Sequence, residues 1–222
     1  MQKPATIDPI ADEILRHLSE KPEAAEIVLG GYFALSHYVD YRQTHDIDAW
    51  WKGRASPAAE KDIRDSVHAV CAARGLDLRE RRFGETVSFE MCKGGRKEFS
   101  FQIAIRSVAL EAPSASPWPP VLIETLADNV GSKMNALVDR GAPRDFLDIR
   151  QIVTAGLLSA SDAWALWSAK NPSQDIQAAR QKVLLHLSAL ESRRPLAGIS
   201  DPSDRASADL NRRWFRTEFL TP

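Results

Sequence analysis

The sequence predicts an α/β protein followed by a helical C-terminal lobe, on three observations. Short β-prone runs alternate with helical periods in the N-terminal half, two cleanly alternating runs then flank a glycine turn, and helical period dominates after a proline-rich stretch. With 222 residues the chain has room for one large domain, or for one domain and a small lobe. A hydrophobic content of 44% and a charged content of 27% exclude wholesale disorder and fibrous repeats. The expected boundaries are 1–112 for an α/β core and 121–222 for the helical lobe.

Asp8-Pro9 reads as an N-cap and first helical residue, with Asp12 and Glu13 suiting the positive helix start and Ile10, Ile14 and Leu18 on one face. That helix stops before Pro22. Glu26 to Leu29 is a short β-prone run closed by Gly30-Gly31, and Tyr32 to Tyr41 resumes a helical pattern. Asp46 to Trp51 alternates strictly, so a strand there sets Asp46, Asp48 and Trp50 on one side and Ile47, Ala49 and Trp51 on the other. Ser56-Pro57 caps a helix that runs to Gly75 through Ile63, Val67, Val70 and Cys71. Thr86 to Cys92 and Glu98 to Ile105 form a β-hairpin with Phe99, Phe101, Ile103 and Ile105 on one face. Pro113, Pro117, Pro119 and Pro120 exclude a helix or central strand, so that stretch is expected to be a linker. Helices are expected over Val121 to Asp139, Pro143 to Ala155, Ala163 to Lys170 and Ile176 to Leu190. A loop at Arg193 to Asp204 then precedes an amphipathic piece around Leu210 to Phe219.

Composition narrows the function classes. A net charge of −1 removes global positive charge as an argument for a nucleic-acid partner, so any such partner is held by local patches. The longest stretch without a formal charge, Ile27 to Val39, is too short for a membrane span, and Met1 to Asp8 lacks the apolar run of a secretory signal. Cys71 and Cys92 are too few for a disulfide framework, which makes a reducing cytoplasm the default expectation. The histidines His17, His37, His45, His68 and His186 do not pair at zinc spacing, and none is expected to bind zinc.

The most informative feature is Gly30-Gly31 at a strand-to-helix turn, followed by Asp46-Ile47-Asp48. Glycines let backbone approach a phosphate closely, although most such pairs are only turns. Alternation sets the two carboxylates ~6.6–6.8 Å apart on one side of a strand, a span suited to hard cations. The plainer alternative is a solvated sheet face. Lys133 falls into the buried stripe of Leu126, Val130 and Leu137, so it either snorkels or meets carboxylates or an anionic ligand. Asp145 and Asp148 lie one turn apart at the next helix start, where acidic residues are commonly caps. His45 points away from the two aspartates by alternation. Arg79, Arg81 and Arg82, then Lys93, Arg96 and Lys97, then Arg212, Arg213 and Arg216 could track an RNA backbone or form solvated faces. Trp164 and Trp167 are expected in a helical core.

The run Val28-Leu29-Gly30-Gly31-Tyr32-Phe33-Ala34-Leu35, then Arg42-x-Thr44-His45-Asp46-Ile47-Asp48, then Lys133 to Ile149 with Ala136, Leu137, Arg140, Arg144, Asp145, Phe146 and Asp148, resembles the AbiEii/AbiGii-type nucleotidyltransferase family. These are toxins of type IV toxin–antitoxin and abortive-infection systems. The resemblance spans roughly Glu26 to Leu158. It implies a polymerase-β-like nucleotidyltransferase core with a mixed sheet and Mg²⁺ on Asp46 and Asp48. The triphosphate would lie near Gly30, Gly31 and Lys133, with Arg42, Thr44 and Asp148 among the nucleotide-binding residues and Asp145 completing the site. It further implies a nucleoside triphosphate donor, an RNA acceptor that in some relatives is the 3′ end of tRNA, and a cognate antitoxin. One departure stands out: the later strand offers Gln102 where many nucleotidyltransferases of this fold have a third carboxylate, and a neutral amide cannot deprotonate a hydroxyl. The expected function is therefore Mg²⁺-dependent nucleotide transfer to an RNA or protein hydroxyl, with Asp46, Asp48, Lys133 and Asp145 as catalytic residues. A non-catalytic nucleotide-binding partner protein is the alternative. A sugar transferase using Asp-x-Asp leaves Gly30-Gly31, Lys133 and Asp145 unexplained.

Overall fold

The computed structural model describes residues 3–106 and 108–221. The chain divides into two compact units, Met1–Asn129 and Val130–Pro222. In the first, helix α1 (Pro9–Ser19) starts at Asp8, whose side chain accepts from the Ile10 N–H, and buries Ile10, Ile14, Leu15 and Leu18. A 3₁₀ turn at Pro22–Glu26 leads into β1 (Ile27–Gly30), which is followed at once by the short helix α2 (Gly31–Leu35). The helix expected to reach Tyr41 ends here instead. The chain folds back so that the Tyr32 hydroxyl accepts from the N–H groups of Tyr41 and Arg42, a tertiary contact that overrides the helical period. Strand β2 (Asp46–Trp51) follows, then α3 (Pro57–Arg74), capped by Ser56 and ended by Gly75 at φ 63°.

Strands β3 (Asp77–Phe83), β4 (Thr86–Lys93) and β5 (Arg96–Ile105) form an antiparallel meander. Strand β3 is absent from the sequence expectation, because its run of charges hides any alternation. Its inward Leu78 packs on the core, while Glu80 and Arg82 pair with Arg64 and Glu60 of α3. The proline-rich stretch is more than a linker. It holds the edge strand β6 (Ser114–Ala115), and β7 (Leu122–Ile123) occupies what periodicity assigned to a helix start. These strands tie the stretch to the first unit, so the division between units falls at Asn129 within helix α4 (Leu126–Asp139) rather than at the prolines.

The sheet is mixed, in the order β3-β4-β5-β2-β1-β7-β6. Strand β2 runs antiparallel to β1 and parallel to β5, and β1 is parallel to β7. One face is the core: Ile47, Ala49, Trp51, Val87, Phe89, Met91, Phe99, Phe101 and Ile103 pack with α1 and α3. Ile105, expected on that face, is 39% exposed at the strand end.

The regular elements described in the second unit are all helical. After α4, Gly141 turns the chain at φ 53° into α5 (Pro143–Thr154). Then come α6 (Ala160–Lys170), α7 (Ile176–Arg193), a 3₁₀ turn at Leu196–Gly198, and α8 (Pro202–Trp214), which runs into a π-helical turn at Phe215–Phe219. Its core is aromatic: Trp164 packs on Trp167 and Phe219, and Phe146 meets Phe215 edge-on at 4.8 Å. Trp164 and Trp167 are thus core residues, as their helical spacing predicts. Helix α8 begins at Pro202, inside the expected loop, with Asp201 capping it.

Candidate active site

The open face of the sheet is polar where the core face is apolar. Asp46, Asp48 and Trp50 are half-buried and alternate with fully buried Ile47, Ala49 and Trp51, so both carboxylates project from one side of β2. The Thr44 hydroxyl hydrogen-bonds Asp46, and Asp48 lies in register with Gly30 on β1 and with Gln102 on β5. His45 turns outward to Asp8, 2.8 Å from its carboxylate, as alternation predicts.

The two glycines have a packing reason as well as a conformational one. Gly31 sits at φ 59°, and a Cβ there would overlap the Asp48 carboxylate; a Cβ on Gly30 would overlap the Trp50 indole. The turn therefore lets backbone press against the acidic strand. Trp50 fills its side of that contact, and its buried indole N–H makes no hydrogen bond among the described residues. Replacing Gly31 by alanine is expected to cost ~1–3 kcal/mol of backbone strain and also to displace Asp48. Gly75 is the matched control, since it has a similar φ and nothing within 4 Å of a Cβ. Denaturant unfolding with a transfer assay should show both alanine variants destabilised and only Gly31→Ala inactive; equal activity would separate the turn from Asp48.

Asn129, buried on α4, ties this turn down. Its amide donates to the Gly31 carbonyl and to Glu124, each at 2.8 Å. Glu124 and Asp128 are in turn bridged by Arg106 at 2.6 and 2.7 Å, and Asp128 also accepts from the N–H groups of Leu110 and Glu111. Sequence reasoning missed this network, although Glu124, Asp128 and Asn129 crowding one helix start was a visible signal. A cavity of about 80 Å³ lined by Val28, Trp50, Arg106, Glu124 and Asp128 lies beside it, a volume for a few waters rather than a nucleotide.

The Arg42 guanidinium carbon sits over the Tyr32 ring, 3.5 Å from its centroid, and burial pushes the Tyr32 phenol up from its ordinary range. Asp46 and Asp48 form a two-carboxylate set, and the described residues contain no cluster of three or more metal-ligating side chains. Mg²⁺ is commonly bound by one or two carboxylates together with substrate phosphates, so this donor set fits the ion.

Within the second unit, Lys133 meets a carboxylate rather than snorkelling: its ammonium lies 2.5 Å from Asp148, which is fully buried. Asp145 is buried at the start of α5, where it accepts from the Ala142 N–H at 3.0 Å and, through both oxygens, from the Arg140 guanidinium at 2.8 and 2.9 Å. The cap expected of acidic residues in a first turn is thus present at Asp145. The C-terminal basic group is spent internally. Arg212 donates to the Arg194 carbonyl, Arg213 pairs with Asp209, and Arg216 pairs with Glu191.

A family model described as nucleotidyl transferase AbiEii toxin, type IV TA system, matches residues 13–205. Among solved structures, the chain is similar to a crystal structure from H. pylori described as that of a candidate nucleotidyltransferase. The TM-score is 0.53 at 16% identity, over 93% of each chain, a likeness of fold. No curated protein matches. No helix among the described residues is long and apolar enough to cross a membrane.

Proposed function

Because the chain belongs to the AbiEii nucleotidyltransferase toxin family of type IV toxin–antitoxin systems, we propose that it moves a nucleotide from a nucleoside triphosphate to an RNA hydroxyl, such as a tRNA 3′ end, or to a protein hydroxyl, and that a cognate antitoxin opposes it. The observation that supports this reading most is the apposition of Gly31 to Asp48 beside Asp46 on one face of β2.

In this reading Asp46 and Asp48 hold Mg²⁺, which when bound neutralises charge on the phosphates. Thr44 fixes the Asp46 carboxylate, while the side-chain-free backbone of Gly30 and Gly31 lets the triphosphate approach. Arg42, preset against Tyr32, offers a guanidinium to a phosphate. Lys133 balances charge building on the leaving phosphates, and Asp148 holds its ammonium in place. Asp145 acts through the Arg140 guanidinium it holds. Gln102, in register with Asp48, can accept a hydrogen bond from the acceptor hydroxyl but cannot take its proton.

That amide also favours a second reading, a non-catalytic nucleotide-binding protein of the same fold. Incubation with labelled triphosphates, Mg²⁺ and total RNA distinguishes the two. The enzyme transfers label and releases pyrophosphate, and Lys133→Ala weakens triphosphate use. Nucleotide affinity without pyrophosphate release supports the second reading and counts against the first.

A further inference from the structure

The register of the sheet carries the open face well beyond the two aspartates. Two rows of paired residues cross four strands: Asp46, Ser100, Glu90, Arg79 and, one step along, Asp48, Gln102, Ser88, Arg81. Phe83 continues the outer edge on the same side as Arg79 and Arg81 and is 66% exposed. Between the acidic pair and the arginines the floor is Ser100, Gln102 and Ser88 with one carboxylate, Glu90. Strand spacing sets the arginines about 14 Å from the aspartates.

The fold does not need these outer groups. On the inward side of β3, Glu80 and Arg82 are spent on α3. On the outward side, Arg81 has a looser pairing with Glu90 at 3.5 Å, and the Arg79 side chain makes no hydrogen bond or ion pair among the described residues. Glu98, the other acidic group on the β5 side of this face, is held by Arg96. Two guanidinium groups followed by an exposed aromatic ring along one side of a strand match the chemistry of single-stranded nucleic acid, phosphates on the cations and a base on the ring.

We propose that the outer face of β3, through Arg79, Arg81 and Phe83, is the docking platform for a single-stranded RNA acceptor, which crosses β4 and β5 to bring its terminal hydroxyl to Asp46 and Asp48. This rests on the transferase reading for the hydroxyl's fate, but the binding surface stands or falls separately. The span favours a polymeric acceptor, because a lone small molecule at the aspartates would not reach β3.

The test uses the full chain and a fluorescein-labelled single-stranded RNA, with anisotropy measured over a salt series and triphosphate affinity measured by calorimetry. Arg79→Glu with Arg81→Glu should weaken RNA binding at least tenfold and flatten the slope of log K against log salt by about 1.4. Phe83→Ala should weaken it at least fivefold with the slope unchanged, since stacking releases no counterions. Triphosphate affinity should match the wild type in both variants. RNA affinity equal to wild type in both variants, an unaltered salt slope in the charge reversal, or label found on protein with no RNA binding by the wild type would overturn the platform. RNA binding that responds as stated, without transfer of label, would sustain the platform and sink the transferase reading.

Discussion

Replacing Arg106 by leucine should lower the unfolding free energy by about 5 kcal/mol, because one guanidinium neutralises two carboxylates that have almost no access to water. Removing one member of a buried ionic cluster costs more than the cluster is worth, since the charges left behind can neither hydrate nor pair. For a chain of this length each kcal/mol moves the midpoint by about 2–4 °C, so thermal unfolding should show a drop on the order of 10–20 °C. Adding Glu124→Gln and Asp128→Asn should recover part of it, since the uncompensated charges are removed while one backbone donor loses its acceptor. The amides remain hydrogen-bonding groups, but the one at position 128 would keep an oxygen for only one of the N–H groups of Leu110 and Glu111, which now use separate carboxylate oxygens. No recovery in the triple variant would mean that the loss comes from the Arg106 stem's packing. The same cluster supports Asn129 and through it the Gly31 carbonyl, so Arg106→Leu should also lower activity without touching substrate.

What was legible in the sequence was local. Asp8, Ser56 and the alternation of Asp46 to Trp51 each fix their own neighbourhood, and the caps and the strand fall where the residues indicate. What escaped depends on partners distant in the chain. Strand β3 exists because β4 pairs with it and α3 takes its inward charges, and β7 exists because β1 offers it an edge. Helix α2 ends early because Tyr32 bonds a returning chain. The site divides in the same way. The acidic pair and the glycine turn can be read from spacing, and so can the need of Lys133 for a partner. That Gly31 makes room for Asp48, and that Asn129 clamps Gly31, requires knowing which strand lies beside which.

Asp48→Asn should leave the fold intact and remove activity, the reverse of the Arg106 outcome. Asp48 and Asp46 are like charges on one strand face with ~6.8 Å between successive same-side positions, and both are half-buried, so neutralising one relieves the repulsion between them. The amide keeps the carboxylate's shape against Gly31, so a cooperative unfolding transition should persist without Mg²⁺. Transfer should fall a hundredfold or more, because losing a metal-holding charge forfeits several kcal/mol of phosphate stabilisation. Calorimetric scans with and without the ion supply a readout independent of turnover. At a hundred times its dissociation constant Mg²⁺ stabilises the wild type by about 2.7 kcal/mol, and that increment should vanish in Asp48→Asn. A variant that keeps the Mg²⁺ shift and wild-type transfer would remove Asp48 from the metal site. One that loses several kcal/mol without Mg²⁺ would make its carboxylate a structural partner of the glycine turn, held there for the fold and not for chemistry.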